Sequence, residues 1–391
     1  MSSDIRPFRI AVPDGDIEDL HRRLAQTRWP DVPRDPVWDD PGWEYGVSLP
    51  FLRELCAYWA GEYDWRGREE MLNTFDQYTT QIDGTGVHFV HVRSAEPGAR
   101  PILLSHGWPG SYVEFRKVIA PLTDPLAHGG KAEDAFHVVV PSLPGFGFSG
   151  PTRARGWDTR RMAHAFAELM GRLGYEHFIA QGGDWGASIS HWLGLLYPER
   201  VDGVHLSTVA LRTEVAESFA DTTAQEQESL ERYRRYYETG AGYVAIQSTR
   251  PHTLGVGLDD SPAGTCAWIL DKFWDWSEHR GNVLDSFTRD ELLDNVSIYW
   301  FTRTSTSAAR IYYEAKAAGT NVSRQPAPPV PMGAAIFPAE ISRPSLRWVQ
   351  QSYDVIHYER LARGGHFGAY EAPEEFVAAV RGFRRELEQR C

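Results

Sequence analysis

The chain has 391 residues, 42% of them apolar and 24% charged, with 35 Gly and 25 Pro, a make-up that excludes a disordered or collagen-like protein. Its 53 acidic residues outweigh 40 basic ones, and the net charge of −13 argues against a nucleic-acid or anionic-membrane partner. Three scattered cysteines, Cys56, Cys266 and Cys391, are too few for a disulfide or zinc framework and fit a cytoplasmic setting.

The opening MSSDIRPFRIAVPDGD has no apolar core and does not read as a signal peptide. No run approaches the ~18 apolar residues of a membrane helix. From Asp16, DIEDLHRRLAQTRW places Ile17, Leu20 and Leu24 on one helical face. The acids Asp14, Asp16, Glu18 and Asp19 lack the spacing of a calcium loop and suit a helix N-terminus. WPDVPRDPVWDDPGWEYG, rich in Pro and Trp, predicts irregular wrapping. Residues 1–86 are therefore read as an N-terminal wrapping segment.

From residue 87 short apolar runs alternate with helical stretches. VHFVHV, PILLSHG, FHVVVPSLPG, HFIAQGGDWG and VDGVHLST predict strands; RRMAHAFAELMGRLG and ASISHWLGLLYPER predict helices. Continuous buried strands alternating with helices predict an α/β fold with a mostly parallel sheet. Residues 87–208 form the first part of that core. Residues 209–325 read as mainly helical, an insertion. QPAPPVP then predicts a stiff connector. The core resumes over 326–391, with strand texture in PMGAAIFPAE and YDVIHYERL and a helix from Pro373. Many of the 14 Trp, 17 Tyr and 18 Phe can sit in an ordinary core, and some are expected to wall a pocket for an apolar small molecule.

Gly182-Gly183-Asp184-Trp185-Gly186 follows a strand and precedes a helix, the context of a nucleophile elbow with Asp at its tip. A carboxylate there suits attack on an sp³ carbon to give an alkyl ester. The pattern alone fits a helix-capping Asp equally well. His106-Gly107-Trp108-Pro109-Gly110 follows an earlier strand, where such folds donate one oxyanion-hole N–H. The two donors would be the N–H groups of Trp108 and Trp185. A simple turn is the competing reading. His106 is expected to brace the loop by hydrogen bonding, and His88 and His91 to face opposite sides of a strand. His366, after two glycines and past the last strand, stands where a base belongs. Glu340, at the end of GAAIFPA, is the first choice for its orienting acid. Asp354 competes, but begins a strand at the wrong edge of the sheet. No cysteine–histidine set has metal spacing, and no G-x-G-x-x-G opens the first helix, so no metal or cofactor is expected.

These pieces, in this order, resemble the microsomal-type epoxide hydrolases of the α/β-hydrolase fold, and the likeness covers nearly the whole chain. FRIAVPDGDIEDLHRRLAQTRWPD is similar to that family's wrapping segment, and HGWPGSYVEF, PSLPGFGFS, GGDWGASIS and GGHFGAYEAPEEF to its core signatures. GYVAIQSTRPHT and LDDSPAGTCAWILDKF are similar to its lid. The resemblance implies Asp184 as nucleophile, Glu340 as acid and His366 as general base. It implies that Tyr243 and Tyr312 are the lid tyrosines that grip the epoxide oxygen, with Tyr313 one residue from the second. The expected substrates are a small-molecule epoxide and water. The apolar anchoring helix of membrane-bound members has no counterpart before Phe8, which predicts a bacterial-type enzyme without that anchor; a homodimer is left open. A haloalkane dehalogenase, with the same Asp and His and a tryptophan-lined halide cradle, is the alternative.

Overall fold

The computed structural model describes residues 5–31 and 42–390. Of the Pro- and Trp-rich run after the first helix, residues 32–41 lie outside the described residues.

Among the described residues nine strands make one sheet in the order β1-β2-β3-β5-β4-β6-β7-β8-β9. They are β1 (Arg6–Phe8), β2 (Gln77–Ile82), β3 (Thr85–Val92), β4 (Arg100–Ser105), β5 (Phe136–Pro141), β6 (Phe178–Gly182), β7 (Val201–Leu206), β8 (Met332–Ile336) and β9 (Val355–Arg360). From β5 through β9 every pairing is parallel. The central strands are buried on both faces: Ile102, Leu103 and Leu104 of β4 and Phe178 to Ala180 of β6 are almost wholly covered. This explains their continuous apolar runs, since helices cover both faces of a parallel sheet.

Strand structure begins earlier than residue 87. β1 and β2 lie inside the segment read as helices and loops, and they extend the sheet as antiparallel edge strands onto β3. The expectation is corrected for a physical reason. QYTTQI is polar and half-solvated, with only Gln77, Thr80 and Ile82 buried, so no apolar run marks it. The first helix also starts earlier, at Asp14, and ends at Ala25.

Between β7 and β8 lie mainly helices, as expected, including Ala224–Arg235, Gly242–Gln247, Pro262–Trp276, Arg289–Thr302 and Ser305–Ala318. Local chemistry sets several starts. Thr288 and Glu291 form a reciprocal capping box at the head of Arg289–Thr302, and Ser261 caps Pro262–Trp276 through the N–H of Gly264. The N-terminal segment is tied to these helices: Tyr63 Oη and Arg68 Nε donate to the buried Asp294 carboxylate at 2.9 and 2.8 Å. The same helix reaches the sheet. Asn295 Nδ2 donates to the Pro109 carbonyl at 2.8 Å and Tyr299 Oη to that of Gly110 at 2.7 Å. The loop after β4 is thus held from above by the helical segment.

Candidate active site

Parallel strands open their C-terminal ends to one rim, and side chains placed there converge. The loops after β4, β6, β7 and β8, and the loop after β9, supply the site.

Asp184 begins the helix Asp184–Leu196 directly after β6. Its φ is +50°, a left-handed conformation that costs a non-glycine residue energy and persists only where surroundings enforce it. The enforcement is close packing. A Cβ on Gly182 would lie 2.1 Å from the Gly186 backbone, and one on Gly186 would lie 1.8 Å from the Ser105 carbonyl oxygen. Only glycines allow the turn to close this tightly against β4. The strained elbow aims the Asp184 side chain at the loop after β4 as well as at the first N–H of its own helix, a reach that capping alone does not require. Trp108 N–H donates to Asp184 Oδ1 at 2.8 Å, and Trp185 N–H also binds the carboxylate. The two expected donors therefore meet on the Asp184 carboxylate itself.

His106 braces the donor loop as expected. Leu143 N–H donates to its Nε2 at 3.1 Å, so Nδ1 carries the proton and donates to the Gly107 carbonyl at 3.0 Å. Burial lowers its pKa to about 4 and keeps it neutral. His88 binds Ser142 and Gln77, whereas His91 binds Tyr175, so the two serve different sides of β3.

His366 Nδ1 lies 3.0 Å from both oxygens of Glu340, and its Nε2 lies 3.7 Å from Asp184 Oδ2. The imidazole thus stands between the two carboxylates. Its backbone N–H donates to the Trp276 carbonyl at 2.9 Å, which fixes the loop. Glu340 is fully buried and receives two more bonds, from Thr208 Oγ1 and Ile341 N–H, both at 2.7 Å. Burial would raise its pKa, but His366 and these donors hold it below the usual carboxylate range. Burial would lower the His366 pKa, yet Glu340, Asp184 and Glu114 raise it to about 9. Burial moves the Asp184 pKa upward against the pull of His366 and the two N–H donors. Asp354 has no part in this cluster: it immediately precedes β9 and pairs with Arg390 at 2.5 Å.

Across from Asp184, the Tyr243 ring stacks on Trp108 with centroids 4.9 Å apart, and Tyr312 stands edge-on to Trp185 at 4.7 Å. Both tyrosines are buried, at 6% and 5% exposure, whereas Tyr313 is 47% exposed. Of the adjacent pair it is Tyr312 that packs beside Asp184's neighbours, and Tyr313 turns away. Burial pushes both hydroxyls well above their ordinary pKa, so they stay protonated. The Tyr312 hydroxyl has no partner in hydrogen-bonding geometry among the described residues; Trp185 and Tyr243 are its polar neighbours.

Sequence reasoning missed two residues of the cluster. Thr208 carried the signal of lying just past β7. Tyr236, whose hydroxyl lies 2.6 Å from that of Tyr243, carried none among 17 tyrosines.

Comparison with known proteins identifies the family and the fold. The family described as "Epoxide hydrolase N terminus" matches residues 5–115, and the family described as "alpha/beta hydrolase fold" matches residues 100–249. A protein of Stigmatella aurantiaca is 48% identical over 384 residues, 98% of this chain and 85% of that one. Epoxide hydrolase 1 of Sus scrofa is 37% identical over 411 residues, 98% of this chain and 89% of that one. The crystal structure of juvenile hormone epoxide hydrolase from Bombyx mori superposes with a TM-score of 0.90 at 30% identity, covering 99% of this chain and 96% of that one. The chain belongs to the epoxide hydrolases, hydrolases built on the α/β-hydrolase fold.

Proposed function

We propose that the chain opens an apolar epoxide to a vicinal diol in two steps, through an ester on Asp184. The observation that carries this reading is the division of labour between the Asp184 oxygens. Oδ1 is held by backbone N–H, while Oδ2 faces His366. The free oxygen attacks an epoxide carbon and the C–O bond breaks. Tyr243 and Tyr312 stabilise the alkoxide, and one gives it a proton. Phenols suit this task, being acidic enough to share a proton with an alkoxide yet neutral beforehand. The helical segment, 209–325, acts as the lid that carries them.

In the second step His366, oriented by Glu340, takes a proton from water. The resulting hydroxide attacks the Asp184 carbonyl carbon. The oxyanion forms on Oδ1, where the Trp108 N–H already points, with the Trp185 N–H as the second donor to the same group. The ester C–O bond breaks, and the departing diol oxygen takes the proton from His366. The acid proton left on Asp184 replaces the one lost from tyrosine. The diol keeps one oxygen from Asp184, and Asp184 keeps one from water. Single turnover in oxygen-18 water should therefore release unlabelled diol first. Label in that first diol overturns the ester mechanism.

A haloalkane substrate is the second reading, favoured by one feature: the Trp185 indole N–H is buried without a partner in hydrogen-bonding geometry among the described residues. Two buried hydroxyls opposite Asp184 suit an oxygen leaving group better, since a halide needs no proton. Turnover of styrene oxide without turnover of a chloroalkane separates the two. No described helix is long and apolar enough to cross a membrane. A cytoplasmic setting belongs to the same reading, supported by the buried free thiols of Cys56 and Cys266.

A further inference from the structure

One buried carboxyl group beside the site has no part in the chemistry above. Glu114 lies in the short turn Tyr112–Phe115 and is 9% exposed. Its carboxyl packs where residue 110 has no side chain: a Cβ on Gly110 would lie 1.3 Å from Glu114 Oε1. The absence of a side chain at 110 therefore makes room for this group. Glu114, Asp184 and His366 line one small cavity, whose wall also includes Ser105, Ser207 and Phe367. The space open to a water centre is about 10 Å³, the volume one water needs.

We propose that Glu114 positions the hydrolytic water, holding it in this cavity between His366 and the carbonyl carbon of the Asp184 ester. The proposal rests on the two-step reading given above. Its chemical motive is that water has two O–H groups. One must point at His366 Nε2, which removes its proton. The other needs an acceptor, or the water turns away from the attack line and a buried polar group is left unpaired. The relay spends Glu340 on Nδ1 of His366, and the N–H donors of Trp108 and Trp185 offer no acceptor. The Glu114 carboxyl is an acceptor within the same cavity, which the hydroxyl-bearing Ser105 and Ser207 also line. No bond to Glu114 forms or breaks; it accepts a hydrogen bond.

Glu114 has a second effect on the same step. The groups that face it are His366, Asp184, Glu371 and Tyr299. Burial raises its pKa and the His366 charge opposes the rise, with the balance at about 8, so the group is mostly protonated at neutral pH and ionises as pH rises through that value. Once Asp184 is an ester its charge is gone, leaving Glu340, and Glu114 where it is ionised, as the anionic groups acting on the imidazole. An imidazolium formed by water deprotonation is then favoured by Glu114 as well as by Glu340.

The test is single-turnover kinetics of the full chain with styrene oxide, following alkylation and ester hydrolysis separately, in Glu114→Gln and Gly110→Ala. The first weakens the acceptor and removes its charge. The second leaves Glu114 in place and drives its carboxyl out of the cavity. Both should alkylate near the wild-type rate, which also reports an intact fold. Both should hydrolyse the ester about 10- to 100-fold more slowly. In Glu114→Gln the pH midpoint of hydrolysis should also move down, because His366 loses an anionic neighbour. Ester hydrolysis at the wild-type rate in Glu114→Gln, with alkylation intact, overturns the role of Glu114 while leaving the two-step reading standing. Equal loss of both steps, with no movement of the pH midpoint, overturns it in favour of a purely structural brace. If His366→Gln forms no adduct and the first wild-type diol carries solvent oxygen-18, the two-step reading falls, and the proposal with it.

Discussion

The Nδ1 atom of His366 stands 3.0 Å from each carboxylate oxygen of Glu340, and both residues are buried. This contact fixes which nitrogen carries the proton. In the neutral imidazole Nδ1–H is donated to Glu340, which leaves the Nε2 lone pair toward Asp184, where it can act as a base.

Glu340→Gln should therefore damage the second step. The amide neither attracts the imidazolium nor enforces the tautomer, and its NH₂ can donate to Nδ1 and invert the arrangement. Ester hydrolysis should slow by about 100- to 10,000-fold. Alkylation, which needs no base, should change far less. Stopped-flow tryptophan fluorescence resolves the two phases, and a collapse confined to the first phase would contradict the assignment.

His366→Gln should trap the intermediate. Carboxylate attack still proceeds, but nothing removes the proton from water. Intact-protein mass spectrometry should then show an increase equal to the mass of the epoxide, and Asp184→Asn should abolish that increase. Loss of alkylation itself in His366→Gln would move His366 out of the hydrolytic role.

The pH dependence of the steps should separate in a stated direction. Alkylation requires ionised Asp184 and falls as pH drops through its pKa, which burial has raised. Hydrolysis requires neutral His366, whose pKa of about 9 before reaction is set by burial opposed by Glu340, Asp184 and Glu114. Alkylation removes the Asp184 charge, so the hydrolytic midpoint should lie below that value. As pH falls from there, hydrolysis should fade first and the alkyl-enzyme should accumulate. An adduct fraction that instead grows with rising pH would reverse the assignment of base and nucleophile.

The central strands and the elbow were legible because burial on both faces writes continuous apolar runs, and because the turn around Asp184 admits only glycine at 182 and 186. His366 was legible from chain order and its two preceding glycines. The edge strands β1 and β2 were not, since pairing at a half-solvated edge needs no apolar pattern. Tyr236 and Glu114 were not legible for another reason. Each matters through a neighbour brought in by the fold, Tyr243 in one case and the cavity beside Asp184 in the other. No local spacing encodes such a meeting. Tyr243 and Tyr312 were reached by resemblance, and the structure supplies the physical ground, two buried hydroxyls across from Asp184.

Those hydroxyls carry the last prediction. Tyr243 and Tyr312 rings lie 5.7 Å apart and nearly perpendicular, so both can reach one oxygen. A single Tyr→Phe change should slow alkylation, and losing one such donor typically costs ~2.7–4 kcal/mol, about 100- to 1000-fold. The remaining hydroxyl should soften that loss. The double Tyr243→Phe, Tyr312→Phe protein should lose far more, while ester hydrolysis of any adduct formed changes little, because no epoxide oxygen remains. Tyr313→Phe should be silent, since that side chain is 47% exposed. Tyr236→Phe gives the finest discrimination. Its hydroxyl touches only Tyr243 of the pair, at 2.6 Å, and its side chain reaches the surface in part. It can orient Tyr243 and return a proton to it, but not grip the substrate in its place. A neutral hydrogen bond is worth ~0.5–1.5 kcal/mol, so its loss should slow alkylation by less than about tenfold in the wild type. In a Tyr243→Phe background the same change should do nothing, because its partner hydroxyl is already gone. A full, additive effect of Tyr236→Phe in that background would make Tyr236 a direct ligand of the epoxide and displace Tyr243 from the role.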